Sequence, residues 1–276
     1  MEEVCMARRF GVYGFNFTKQ VQNSHFILTP IYTNQSEAYK VATDKTSLRL
    51  TGTGEIVAAI NPDLLFDLDG VLTFIQQQFV MLDTRNRSKT EDYPKSIPIS
   101  QRRRTLGPLI MNDSFMPEST RKLIHKLLKC LSDENFCKNT GFREALYRNV
   151  EIHKLFRPVM DLSYYLSFSG MEILARHWCD DFETNNVASV IAPFLTDLNF
   201  QITQEKLQEF AHVRNALFHH GKYKVSVNIN GQAKVYKLIN YATDLEMLLC
   251  DTLLKVAKFD DGTINWNRWQ DRQPFT

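Results

Sequence analysis

The chain has 276 residues, 43% of them hydrophobic and 23% charged, an ordinary globular composition for one large domain or two small ones. A formal net charge of +2 gives no whole-molecule field that announces a nucleic-acid binder, so any basic surface has to be local. No apolar run reaches the length of a membrane span, and the opening MEEVCMARRF lacks the apolar core of an export signal, so a cytoplasmic protein without membrane contact is expected.

Five cysteines, at positions 5, 130, 137, 179 and 250, form no CxxC pair and stand at no zinc-ligand spacing with the histidines. They read as reduced thiols, with Cys130 and Cys137 two helix turns apart in a core, and no metal or other cofactor is expected.

In chain order, the first sixty residues read as strands. YGFNFTK alternates Tyr13, Phe15 and Phe17 with small or polar neighbours. SHFILTPIY is a second strand bent at Pro30, and TSLRLTGTGEIVAAI a third and fourth, with Gly52 and Gly54 as turn or bulge residues. After Pro62, GVLTFIQQQFVMLDTR places Val71, Phe74, Ile75, Gln78 and Leu82 at helical spacing. Residues 84–117 hold Pro94, Pro98 and Pro108 with many charges and little periodicity, which marks a boundary.

From Pro117 onward the pattern is helical. Leu123, Ile124, Leu127, Leu128 and Leu131 share one face, and further helices are expected at about 141–156, 159–179, 184–199, 203–220 and 240–258. YKVSVNINGQAKVYKL interrupts them, alternating Tyr223, Val225, Val227 and Ile229 before Asn230-Gly231, the pattern of an inserted β-hairpin. The expected fold is therefore α+β: a β-rich domain over 1–112, then a helical bundle with an inserted hairpin over 113–276.

The helix over 203–220 carries the chemistry. On it Leu207, Phe210, Ala211, Leu217 and Phe218 form an apolar stripe with Arg214 in its middle. A guanidinium there needs a carboxylate partner or a cleft. Asn215 and His219 are i and i+4 and can meet, whereas Arg214 and His219, at i and i+5, point about 140° apart. His220 projects elsewhere, and Gly221 supplies a left-handed stop.

RNALFH, with the HG that follows, resembles the Arg-polar-x-x-x-His signature of HEPN domains. SYYLSFSGMEILARHW looks like their long early bundle helix, with Glu172 where members carry an acidic residue near the arginine. The resemblance covers residues 118–276; members often carry a variable sensing domain ahead of the bundle, as in abortive-infection systems. It implies a metal-independent endoribonuclease that works as a homodimer with the motif helices of two chains facing each other, in a toxin or antiviral defence role against RNA such as tRNA. Arg214 and His219 would then be catalytic, and Asn215, His220 and Glu172 supporting. Lys222 and Tyr223, just past the motif, and the Arg102, Arg103, Arg104 run are the candidate RNA contacts.

Two other readings stand beside it. One is a catalytically silent HEPN module that binds RNA, a nucleotide or a protein partner, with Arg214 paired to Glu172. The other starts from LLFDLDGVLTF, which resembles the nucleophile motif of haloacid-dehalogenase-type phosphatases, with Asp67 attacking phosphorus, Asp69 as acid/base and a bound magnesium. That motif requires a buried strand before the aspartates, and Pro62 leaves only Leu64 to Phe66 for it. The doubly wound alternation of strands and helices is missing as well, and a turn at Asp69-Gly70 ahead of a helix is expected instead.

Overall fold

The computed structural model describes residues 8–57, 63–100, 106–155, 159–229 and 231–275. They divide into two compact units. The first runs up to Lys129 and takes in a short segment from His153; the second holds Cys130–Ile152 and the chain from 159 onward. The fold is α+β, an N-terminal antiparallel sheet followed by helices, and the expected 112/113 boundary falls inside the first unit.

In the first unit β1 (Arg8–Tyr13), β2 (Val21–Gln22), β3 (Phe26–Pro30), β4 (Ser47–Ile56) and β5 (Met81–Asp83) lie in the order β2-β3-β4-β1-β5, and β6 (Ser96–Pro98) pairs with β4. The stretch expected to give two strands is the single strand β4, which runs through both glycines. These are packing positions rather than turns. A Cβ on Gly54 would come within 2.0 Å of the Phe10 ring, and one on Gly52 within 2.4 Å of the Phe17 ring and 2.7 Å of the Thr29 carbonyl oxygen. The bulge lies just before them, at Thr51, where the register slips from Val12↔Gly52 to Tyr13↔Leu50. The Thr51 hydroxyl donates to the Val12 carbonyl and accepts from the Phe15 amide, so the irregularity is fully bonded. Phe15 and Phe17 lie beyond the end of β1 yet are buried against each other, rings 5.4 Å apart.

Helix α1 (Gln35–Ala42) is capped by Asn34, whose side chain accepts from the Glu37 amide at 3.1 Å. Helix α2 (Asp63–Gln76) begins earlier than its apolar periodicity suggested and ends at Gln77 (φ 52), so Gln78 and Leu82, which the spacing placed on the helix, lie beyond it, Leu82 within β5. Asp67 and Asp69 therefore sit inside a helix. Residues two apart on a helix project about 200° apart, which does not converge two carboxylates on one phosphorus. Asp69 is committed elsewhere: one oxygen meets Lys154 Nζ at 2.5 Å, and the other accepts from the Leu82 amide at 3.1 Å. Asp260 and Asp261, in the second unit, cap their own turn at Gly262 and Thr263.

Helix α3 (Ser119–Ser132) buries Leu123, Ile124, Leu127, Leu128 and Leu131, the face its spacing marks out. A short helix that the periodicity did not signal, α4 (Glu134–Thr140), follows; seven residues are too few to write a stripe. Its ends are nonetheless explicit, an Asp133 side chain on the Phe136 amide and a left-handed Gly141.

The second unit continues with α5 (Phe142–Lys154, whose last two residues belong to the first unit), α6 (Met160–Cys179), α7 (Val187–Asp197), α8 (Gln204–His220), the hairpin β7 (Lys224–Ile229) and β8 (Gln232–Lys237), α9 (Ala242–Val256) and α10 (Arg268–Asp271). Helix α9 is buried nearly all round from Leu245 to Leu254, the signature of a central helix. It approaches α6 closely at Gly170, where a Cβ would stand 3.0 Å from Leu249. A buried ion pair joins Asp251 to Arg268 Nε on α10 at 2.5 Å, with the two residues 0% and 5% exposed. Burial pushes the Asp251 carboxyl up to about 6, against the pull of Arg268. Cys130, Cys137 and Cys250 are buried, and Cys179 is half-buried. No helix among the described residues is long and apolar enough to cross a membrane.

Two substitutions test these constraints. Gly54→Ala forces a methyl into the Phe10 ring and is expected to cost about 1–3 kcal/mol, read as a lower unfolding midpoint in denaturant. Asp251→Ala breaks this buried pair, with an expected loss of about 3–5 kcal/mol and a clear fall in Tm by calorimetry.

Candidate functional site: the C-terminal end of helix α8

Helix α8 starts with Thr203, whose hydroxyl accepts from the Lys206 amide at 3.2 Å. It stops at Gly221, left-handed at φ 61, where the Gly221 and Lys222 amides close the carbonyls of Leu217 and Ala216. The helix is pinned to α6 by the buried Tyr164 phenol, which donates to the Phe210 carbonyl at 2.8 Å.

The buried line is not the expected stripe. It runs Leu207, Phe210, Val213, Ala216, in steps of three. Each such step turns 300°, so the line winds backward around the helix and by Ala216 has reached the side opposite Leu207. Phe218 consequently ends on the outside, 43% exposed, with its ring 4.2 Å from that of Tyr165 on α6. Arg214 lies at the rim of the buried face rather than in its middle, half-buried. Its guanidinium carbon is 5.8 Å from the Phe168 ring centre and 5.7 Å from that of Phe218. Nη1 donates to Asn215 Oδ1 at 3.0 Å, and Nε is buried with no partner. Among the described residues no carboxylate lies within ion-pair distance of Arg214. Aromatic faces and a neighbouring amide hold the cation instead, an arrangement worth about 0.5–2 kcal/mol per ring.

The structure corrects the expected role of Glu172. Its carboxylate accepts from Arg176 at 2.9 Å, one turn away on α6. Arg176 also donates to the carbonyls of Asp181 and Thr184, so the pair fastens the loop after α6 and does not touch Arg214. Asn215 likewise serves Arg214: its oxygen accepts from the guanidinium, and no hydrogen bond joins it to His219. The reason is its exposed position beside the rim, where the adjacent cation is the nearest donor.

His219 and His220 are both exposed in the last turn, ring centres 6.3 Å apart, and no hydrogen bond engages either imidazole among the described residues. Lys222 is exposed, and Tyr223, 61% exposed, donates its hydroxyl to Asp161 on α6 at 3.4 Å. Arg102, Arg103 and Arg104 lie outside the described residues. The site thus assembles Arg214, Asn215, His219, His220, Lys222 and Tyr223 at one helix end and leaves Glu172 aside.

Phe168, Tyr165 and Asp161, which complete this end, were not singled out from the sequence. One clue existed: Arg214 has an aromatic residue at i+4, Phe218, which suits a guanidinium over a ring. Val159, Met160 and Leu162, at the start of α6, also expose large apolar side chains, as do Phe218 and Tyr223. No group of three or more His, Cys, Asp or Glu side chains among the described residues is placed to hold a metal ion.

Gly221→Ala tests the end of the helix. Nothing lies within 4 Å of a Cβ there, so the whole cost is conformational, about 1 kcal/mol, measurable as a small drop in Tm. Compared with known proteins, the chain matches no family model, no curated protein and no solved structure.

Proposed function

We propose that the second unit is a metal-independent endoribonuclease of the HEPN type, working in the cytoplasm as a homodimer and serving as a toxin or antiviral defence effector. The observation that carries this reading is the state of Arg214. A cation kept half out of water by two aromatic rings, with no carboxylate beside it, is ready for an external anion.

RNA supplies its own nucleophile, the 2′-OH, so the protein has to move a proton and stabilise charge. His219, unengaged and exposed, is the general base or acid, and His220 is the second imidazole within reach. Arg214 donates to the phosphoryl oxygens as negative charge builds on phosphorus, and Asn215 steadies the guanidinium. Attack by the 2′-oxygen on phosphorus with loss of the 5′-oxygen leaves a 2′,3′-cyclic phosphate and a 5′-OH.

Arg214 and His219 are five residues apart on a regular helix and diverge within one chain. A second α8 lying opposite brings the arginine of one copy toward the histidine of the other. The apolar residues exposed at this end, Val159, Met160, Leu162 and Phe218, are the surface on which that copy rests.

The test is incubation of the protein with total RNA and with tRNA in the presence of EDTA, with end-group analysis. The expected result is cleavage unaffected by chelation, reduced at least about 100-fold by His219→Ala and by Arg214→Ala. Cleavage that survives both substitutions, or a strict monomer by light scattering at all concentrations, removes this reading. RNA binding without any cleavage would select the silent module.

A further inference from the structure

The hairpin between α8 and α9 carries an electrostatic cost that no carboxylate among the described residues relieves. Lys224 and Lys237 stand directly opposite each other at its base. Opposed residues of an antiparallel pair share a face with Cβ atoms about 5 Å apart, and like charges there are destabilising. Both lysines are exposed, and among the described residues no carboxylate lies within ion-pair distance of either.

The other face of the hairpin is handled differently. There Lys234 donates to Glu209 of α8 at 2.8 Å, and Tyr236, almost fully buried, stacks on His212 of α8 with ring centres 5.9 Å apart. One lysine is neutralised and packed; two are left facing one another. Their face continues with Ser226 opposite Val235 and Asn228 opposite Ala233, and neither strand contains an acidic residue. Lys222 adds a third cation two residues before Lys224, and between them Tyr223 exposes most of its ring.

We infer that this face, Lys224 and Lys237 with Lys222, binds the phosphates of the single-stranded stretch of RNA that flanks the scissile bond. The inference rests on the ribonuclease reading of the α8 terminus. Three positions separate Gly221 from Lys224, a span of at most about 10 Å, so the track begins where the proposed reaction centre ends. Unpaired cations beside an exposed aromatic ring suit a polyanion with π-faces. An acidic peptide offers the charge without the faces, and an anionic membrane calls for a broader apolar surface than one tyrosine and one valine.

Lys224→Glu separates binding from structure because the two respond with opposite signs. In the fold the substitution converts a repulsive cross-strand pair into an attractive one, so Tm holds or rises. Toward RNA it removes a phosphate contact and adds a repulsion. With the full chain carrying His219→Ala, binding of a labelled single-stranded RNA is expected to weaken roughly tenfold. The slope of log K against log salt is expected to fall by about 0.7 or more.

Unchanged affinity and slope overturn the inference. So does a loss of affinity for polyglutamate or phosphatidylserine vesicles, in place of RNA, on the same substitution. The parent chain with His219 intact is assayed for cleavage in parallel. Cleavage with hairpin-independent binding removes the track and keeps the nuclease; hairpin-dependent binding without cleavage keeps the track and removes the nuclease.

Discussion

A guanidinium held by ring faces instead of a carboxylate governs the exposed end of the second unit. Arg214 sits between Phe168 and Phe218, and this contact orders three things together. It fixes the cation at the edge of water, it holds Phe218 outside the core against Tyr165, and it turns Asn215 toward the arginine. A carboxylate at the same place would have neutralised the charge and left a structural ion pair. The unit has an acid nearby in sequence for that purpose, Glu172, and spends it on Arg176 and the loop beyond α6.

The rest of the unit explains why this end is stable enough to stay exposed. Helix α9 is buried along most of its length and fastened to α10 by the Asp251–Arg268 pair, and α6 packs closely on it at Gly170. Helix α8 is held to α6 at its middle by Tyr164 and is closed at both ends, by Thr203 and by Gly221. A helix secured at middle and ends can carry exposed polar side chains on its last turn. That turn is where both histidines stand.

Much of this was legible in the sequence. The α+β order, the leucine face of α3, the hairpin at Gly231 and the stop at Gly221 followed from periodicity and turn chemistry. What the pattern hid was relational. The stripe of α8 assumed one straight neighbour, whereas the helix is buried along a line that winds around it, and this moved Phe218 outward and Arg214 to the rim. Gly52 and Gly54 read as turn or bulge residues, and a bulge does lie beside Gly52 at Thr51; only the aromatic rings packed over β4 reveal the space both glycines provide. Asp67 and Asp69 matched a phosphatase string, yet the string carries no information about whether a strand or a helix presents it, and α2 presents it as a helix. The seven-residue α4 was too short to write a period at all.

The hairpin has a thermodynamic consequence of its own. Two strands that pair only with each other are marginal in water, so their order is borrowed from whatever they lean on. Here the supports include His212 and Glu209 on α8, with Tyr241 also packed edge-on against Tyr236. Burial pushes the Glu209 carboxyl up, but the hydrogen bonds from Lys234 and Tyr241 outweigh it and hold it below the usual carboxylate range, so that support stays charged at neutral pH. Order in the hairpin and order in α8 are therefore one coupled equilibrium. A ligand that binds only the ordered strands then raises the affinity of the helix end for its own ligand, and that second ligand raises the affinity of the strands for the first by the same factor.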